Sequence, residues 1–159
     1  MSDLIRLLHI EDNADYRELV AATLRVEPAL QFDLASAGSL AEGLLLCRER
    51  TFDVVLLDWT LPDSSGVESI GALRAIDSNI SIVVFTAHDS ENVIEAARMS
   101  GADGFLIKDL TNIKTILTTL HFAAGRRRRR DDRVVMALER MLSMLEDATT
   151  SIEQHVADP

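Results

Sequence analysis

Short aliphatic runs alternate with longer segments of helical period along most of the chain. Strand-length runs fall at Leu4–Ile10, Gln31–Ala35, Val54–Asp58, Ile80–Phe85 and Gly104–Ile107. Several are almost wholly aliphatic, which fits strands covered by helices on both faces. Between them, Asp15–Val26 places Tyr16, Leu19, Val20, Thr23 and Leu24 at helical spacing, and Ser39–Arg50, Gly66–Ile76 and Ser90–Ser100 read the same way. Asn13, Ser39 and Asp89 are expected to cap helix starts, while Pro28 and Gly101 punctuate helix ends. A fifth helix is expected from near Thr111. The alternation predicts an α/β fold with a doubly wound five-stranded parallel sheet in three layers. In such a sheet the ligand site lies at the carboxyl ends of the strands.

Those ends carry chemistry. The first strand runs into Glu11 and Asp12, the third ends in Asp58, the fourth in Thr86 and the fifth in Lys108. Three carboxylates gathered on one edge repel one another unless a cation or proton offsets them. Oxygen donors without soft ligands point to Mg²⁺, and Lys108 adds a fixed positive charge. The set suits phosphoryl transfer to a carboxylate. Asp58 can act as the in-line nucleophile, with Lys108 pairing with one phosphoryl oxygen and Thr86 able to donate to another.

Composition narrows the class. The chain has 159 residues, 47% of them hydrophobic, and a net charge of −10. Residues 1–120 hold 9 basic and 19 acidic side chains, and residues 121–159 hold 7 of each. The acidic part therefore has no general field for nucleic acid. One cysteine, Cys47, permits no intrachain disulfide and is expected to be core. No apolar run approaches a membrane span and no secretory signal is visible, so a cytoplasmic location is expected. His9, His121 and His155 show no ligand spacing, and none of the four histidines is assigned to a metal.

The stretch FDVVLLDWTLPDSSGVE at 52–68 resembles the third-strand motif of response-regulator receiver domains. HIEDN at 9–13 resembles their acidic pair, FTAHD at 85–89 the switch threonine and GADGFLIKD at 101–109 the last-strand motif. The resemblance implies a flavodoxin-like sheet of order 2-1-3-4-5, with the receiver over residues 3–122 and a helical extension over 123–159. It implies that Asp58 accepts the phosphoryl group and that Asp12 and Asp58 bind Mg²⁺ directly. Glu11 would act mainly through water, and Thr60 through its backbone carbonyl. Thr86 and Phe105 would form the switch, and the fourth helix, fifth strand and fifth helix the output face. Thr60 and His88 fall where similar domains tune dephosphorylation. Asp109 departs from the commoner Lys-Pro pair. Trp59 either contacts a partner or covers the site.

In the extension, Ile113, Leu117, Leu120, Ala124, Val134, Leu138, Met141, Leu145, Ala148 and Ile152 keep an alternating three–four spacing, interrupted at Arg127 and Asp131. The seam would pair two protomers, fold back on the receiver or lead to a further module. Gly125 is expected to mark a break. Arg126–Arg130, followed by Asp131 and Asp132, reads as a solvated, salt-bridged connector rather than a nucleic-acid or membrane site.

The leading expectation is a phosphorylation-dependent response regulator. A histidine kinase or phosphotransfer protein would be the donor, a downstream protein the target, and a homodimer through the C-terminal helix a further partner. It would not be an enzyme in the usual sense. The rivals are a constitutive dimeric adaptor and a phosphohydrolase that uses Asp58 as nucleophile and needs a second carboxylate, for which Asp63 is the nearest candidate.

Overall fold

A computed structural model describes residues 4–87, 89–109 and 112–157. The main sheet contains β1 (Leu4–Ile10), β2 (Gln31–Ala37), β3 (Val54–Leu57), β6 (Ser81–Thr86) and β7 (Gly104–Ile107). A small antiparallel hairpin, β4 (Thr60–Leu61) and β5 (Ser64–Ser65), intervenes after β3. The helices are α1 (Ala14–Leu24), α2 (Leu40–Glu49), α3 (Gly66–Ile76), α4 (Glu91–Met99) and α5 (Ile113–Ala157). All pairings in the main sheet are parallel, in the order β2-β1-β3-β6-β7. The fold is the doubly wound flavodoxin-like one, with a long C-terminal helix.

Alternation along the strands divides the core into two layers. Leu7, Val54, Leu56, Val83 and Phe85 face Val20 and Leu24 of α1 and Ile116, Leu117 and Leu120 of α5. Leu8, Val55, Leu57 and Val84 face Leu40 of α2, Ile70 and Leu73 of α3, and Ala97 of α4. β3 and β6 are buried along their whole length, which explains their unbroken aliphatic sequence. Cys47 lies half-buried beside the second layer, and burial, then the charge of Asp77, pushes its thiol up to about 11.

Asn13 and Ser39 cap α1 and α2 as expected, each side chain accepting from a first-turn amide. The cap of α4 is Ser90, not Asp89: its side chain accepts from the Val93 amide. Gly101 follows α4 with φ of +93°, a left-handed conformation that suits glycine at a helix end. Gly125 breaks nothing, because α5 continues through it. One interior glycine costs a helix only about 1 kcal/mol, which packing readily offsets. The expected start near Thr111 lies outside the described residues.

By contact density the chain divides into a unit ending at Arg127 and a second beginning at Arg128. The second is helical, and every residue from Asp132 to Ala157 is exposed. No described helix is long and apolar enough to cross a membrane.

Candidate functional site

Glu11, Asp58 and Lys108 each stand just past the end of a strand and remain tied to the neighbouring one. The Glu11 amide donates to Ala37 O at 2.9 Å, the Asp58 amide to Ile10 O at 3.0 Å, and the Lys108 amide to Thr86 O at 2.8 Å. Parallel pairing thus brings residues far apart in sequence to one edge of the sheet.

Carboxylate oxygens of Glu11, Asp12 and Asp58 lie within 4.8 Å of one another. Lys108 Nζ sits 2.6 Å from Glu11 Oε2 and 3.2 Å from Asp58 Oδ2. The Thr60 amide donates to Asp58 Oδ1 at 3.3 Å, and the Asn13 amide to Glu11 Oε1 at 3.2 Å. Glu11 and Asp58 are buried, whereas Asp12 is exposed at the rim. Arg17 donates to the backbone oxygens of Glu11 and Asp12, so it braces the loop without taking a carboxylate. Among the described residues, three carboxylates gather around one ammonium that pairs with two of them, a formal surplus of two negative charges.

The electrostatics register that surplus. Burial, with the Asp58 charge adding to it, holds Glu11 above the usual carboxylate range despite its hydrogen bond to Lys108. Burial alone would lower Lys108, but the hydrogen bond to Glu11 and the charges of Asp58 and Glu11 outweigh it and raise the ammonium. Lys108 also lies 4.7 Å above the Tyr16 ring. Glu11, Asp12 and Asp58 could hold a hard divalent cation, which would restore ionisation of the group that burial disfavours.

Thr86 is buried at the end of β6. It pairs with Ile107, and Val84 pairs with Phe105, so Thr86 and Phe105 project from the same face of the sheet. Phe105 is half-buried beside Ala97 and Ala102. Trp59 lies against Gly66, where an added Cβ would stand 2.0 Å from Trp59 Cε3. The Thr60 side chain is exposed, and His88 lies outside the described residues. Both Asp63 oxygens accept first-turn amides of α2, from Leu40 and Ala41 at 3.0 Å. That cap removes Asp63 as the second carboxylate of a phosphohydrolase. At the departure from Lys-Pro, the Asp109 amide donates to Ile107 O at 2.6 Å, a bond proline could not make.

The model of the response regulator receiver domain matches residues 7–121. The chain belongs to this family. It is 29% identical over 122 residues to a probable transcriptional regulatory protein, NarL, of Mycobacterium tuberculosis, covering 77% of this chain and 56% of NarL. It is 36% identical over 103 residues to the DNA-binding response regulator MtrA of Mycobacterium leprae, covering 65% and 44%. The chain thus spans about half the length of these curated relatives. A CheY-like receiver domain protein from Methanospirillum hungatei JF-1 superposes with a TM-score of 0.71 at 20% identity, covering 80% of this chain and 99% of that one.

Three features of this receiver escaped the sequence reading. Tyr16 beneath Lys108 is one, although helical spacing already put it on the inward side of α1. His9 is another, buried with both ring nitrogens lacking a hydrogen-bond partner among the described residues, its ring centroid 6.2 Å from that of Phe85. Burial first, then the charges of Lys108 and Arg17, lowers its pKa to about 3. The third is the arginine run, which is not simply a solvated connector. Arg127 is 7% exposed and donates to Asp77 Oδ2 at 2.6 Å and Phe52 O at 3.2 Å, while Arg126 donates to Asp103 O at 2.6 Å. Nothing in local spacing distinguishes these two arginines from the three that follow.

Proposed function

We propose that this chain is a phosphorylation-dependent response regulator whose phosphoacceptor is Asp58. The donor is a histidine kinase or a phosphotransfer protein. An Asp58 oxygen forms the new bond to phosphorus as the bond to the donor breaks, its electron pair leaving with the donor. Lys108 then pairs with a phosphoryl oxygen, and Thr86 donates to another. Glu11, Asp12 and Asp58, with the Thr60 carbonyl, would hold Mg²⁺. When bound, Mg²⁺ supplies charge neutralisation for the transferring group. The carboxylate cluster that shares a single ammonium carries this reading.

Movement of Thr86 toward the phosphoryl group would free space for the Phe105 ring. Their common sheet face and the half-burial of Phe105 support that coupling. Phe105 has no hydroxyl, so it would switch through packing alone. The altered α4–β7–α5 face engages a downstream protein, and further copies of this chain associate through the C-terminal part of α5. The chain takes part in its own modification without turning over a metabolite. Labelling with acetyl phosphate tests the proposal: a Mg²⁺-dependent gain of one phosphoryl group is expected in the native chain and none in Asp58→Asn. Equal labelling of both would overturn it.

A further inference from the structure

The C-terminal part of α5 has an apolar face wider than a two-stranded seam. Continuing the three–four spacing as a heptad puts Leu138, Leu145 and Ile152 at a, and Val134, Met141 and Ala148 at d. Most flanking positions are apolar as well: Val135, Leu142 and Val156 fall at e and Ala137 and Met144 at g, with Thr149 and Ser151 the polar members of those rows. On a helical wheel the g, d, a and e rows form one arc of about 150°. Its side chains are uncovered, from Val134 at 48% exposure to Val156 at 81%. A contiguous exposed apolar strip of this length marks an interaction surface more often than free solvent-facing surface. A two-stranded coiled coil covers a and d fully, but e and g only along their inner edges.

The charges bordering this arc select the occupant. Beside e, the b row reads Asp132, Glu139, Glu146 and Glu153, all acidic. Beside g, the c row reads Arg133, Arg140, Asp147 and Gln154. When parallel copies pack e against g, the acidic row meets Arg133 and Arg140 of the neighbour along the first half of the segment, while Asp147 and Gln154 bring no positive charge to the second half. Antiparallel packing would instead set the acidic row against its own copy. The arginine run also gathers at one end of a parallel assembly, but Asp131 and Asp132 follow on the next turn.

We infer that copies of this chain associate in parallel and in register through Val134–Val156, in a bundle of more than two helices. The inference rests on the self-association part of the proposed function and is independent of Asp58 chemistry. Continuity of α5 supports it: the preceding segment is already helical, so these few heptads need no separate helix nucleus.

The test uses the full chain in a Cys47→Ser background, with and without Mg²⁺ and beryllofluoride. Val134→Cys should form a disulfide between copies, whereas Met136→Cys on the outer face should not, and solution mass should exceed that of two chains. Leu138→Asp with Leu145→Asp should return the mass to one chain while leaving acetyl phosphate labelling intact. Cross-linking of Val134→Cys only to Ile152→Cys chains would show antiparallel pairing and overturn the orientation. A mass of two would overturn the wider bundle, and a monomer under both conditions would overturn self-association itself. Labelling of the same samples reports separately on Asp58.

Discussion

At the amino ends of the sheet, Asp53, Asp77 and Asp103 each meet an arginine: Arg6 at 3.0 Å, Arg127 at 2.6 Å and Arg74 at 3.0 Å. At the carboxyl ends, Glu11 and Asp58 share Lys108, with Asp12 beside them. Among the described residues, acidic groups are thus paired with arginines at one edge and left with an anionic surplus at the other. The paired groups tie loops and the start of the extension to the strands. An unmatched cluster keeps a negative charge that a cation would offset. A carboxylate at a strand end acquires a functional meaning from its charge balance, which residue identity alone does not reveal.

Removing the shared ammonium should have the largest effect. Lys108→Met is expected to lower the rate of Asp58 labelling by about 10²-fold or more, because a preorganised positive charge at the transferring group is lost. Kinetics with acetyl phosphate check this. Stability should suffer less, since burial already raises Glu11 and, once the ammonium is gone, the carboxyl can take up a proton more easily.

His9 sets a second contrast, in pH rather than rate. Its folded-state pKa of about 3 lies below the ordinary 6.5, so the unfolded chain takes up a proton first as pH falls. Native stability should therefore drop on going from pH 6.5 toward 3, on the order of a few kcal/mol. Glu11 works in the opposite sense, because its raised pKa makes the ionised group a burden above the ordinary carboxylate range, relieved on acidification. Lys108, raised, stabilises the fold below its ordinary value and loses that contribution only at strongly alkaline pH. Denaturation midpoints against pH should show a shallower acid slope in His9→Leu. An unchanged slope would remove His9 from the account.

At the matched edge, Arg127→Ala should cost about 2 kcal/mol, because Phe52 O and Asp77 Oδ2 lose its guanidinium, while Asp58 labelling stays unchanged. Chemical denaturation and labelling on one sample separate the two. The smallest effect is expected from Gly66→Ala, whose new Cβ would displace the Trp59 ring beside Asp58, at about 1–2 kcal/mol. A changed Trp59 emission spectrum should accompany it.

Much of this was legible in the sequence. Leu4–Ile10, Gly104–Ile107 and Gly66–Ile76 have the expected bounds because aliphatic runs and turn residues delimit them sharply. The strand-end residues followed, since each motif sits directly after its run. The β4–β5 hairpin went unseen because two-residue strands have no periodicity to read. Ser90 rather than Asp89 caps α4 because two adjacent cap-forming residues differ only in backbone position. Arg127 could not be singled out, because its partners Asp77 and Phe52 lie 50 and 75 residues away. Long-range pairing of that kind leaves no local signature.

Calorimetric titration with Mg²⁺ tests the contrast between the two edges most directly. The native chain and Asp53→Asn should each bind one ion, whereas Asp58→Asn and Asp12→Asn should bind it at least tenfold more weakly. No binding by the native chain at millimolar Mg²⁺, or undiminished binding by Asp58→Asn, would contradict the account.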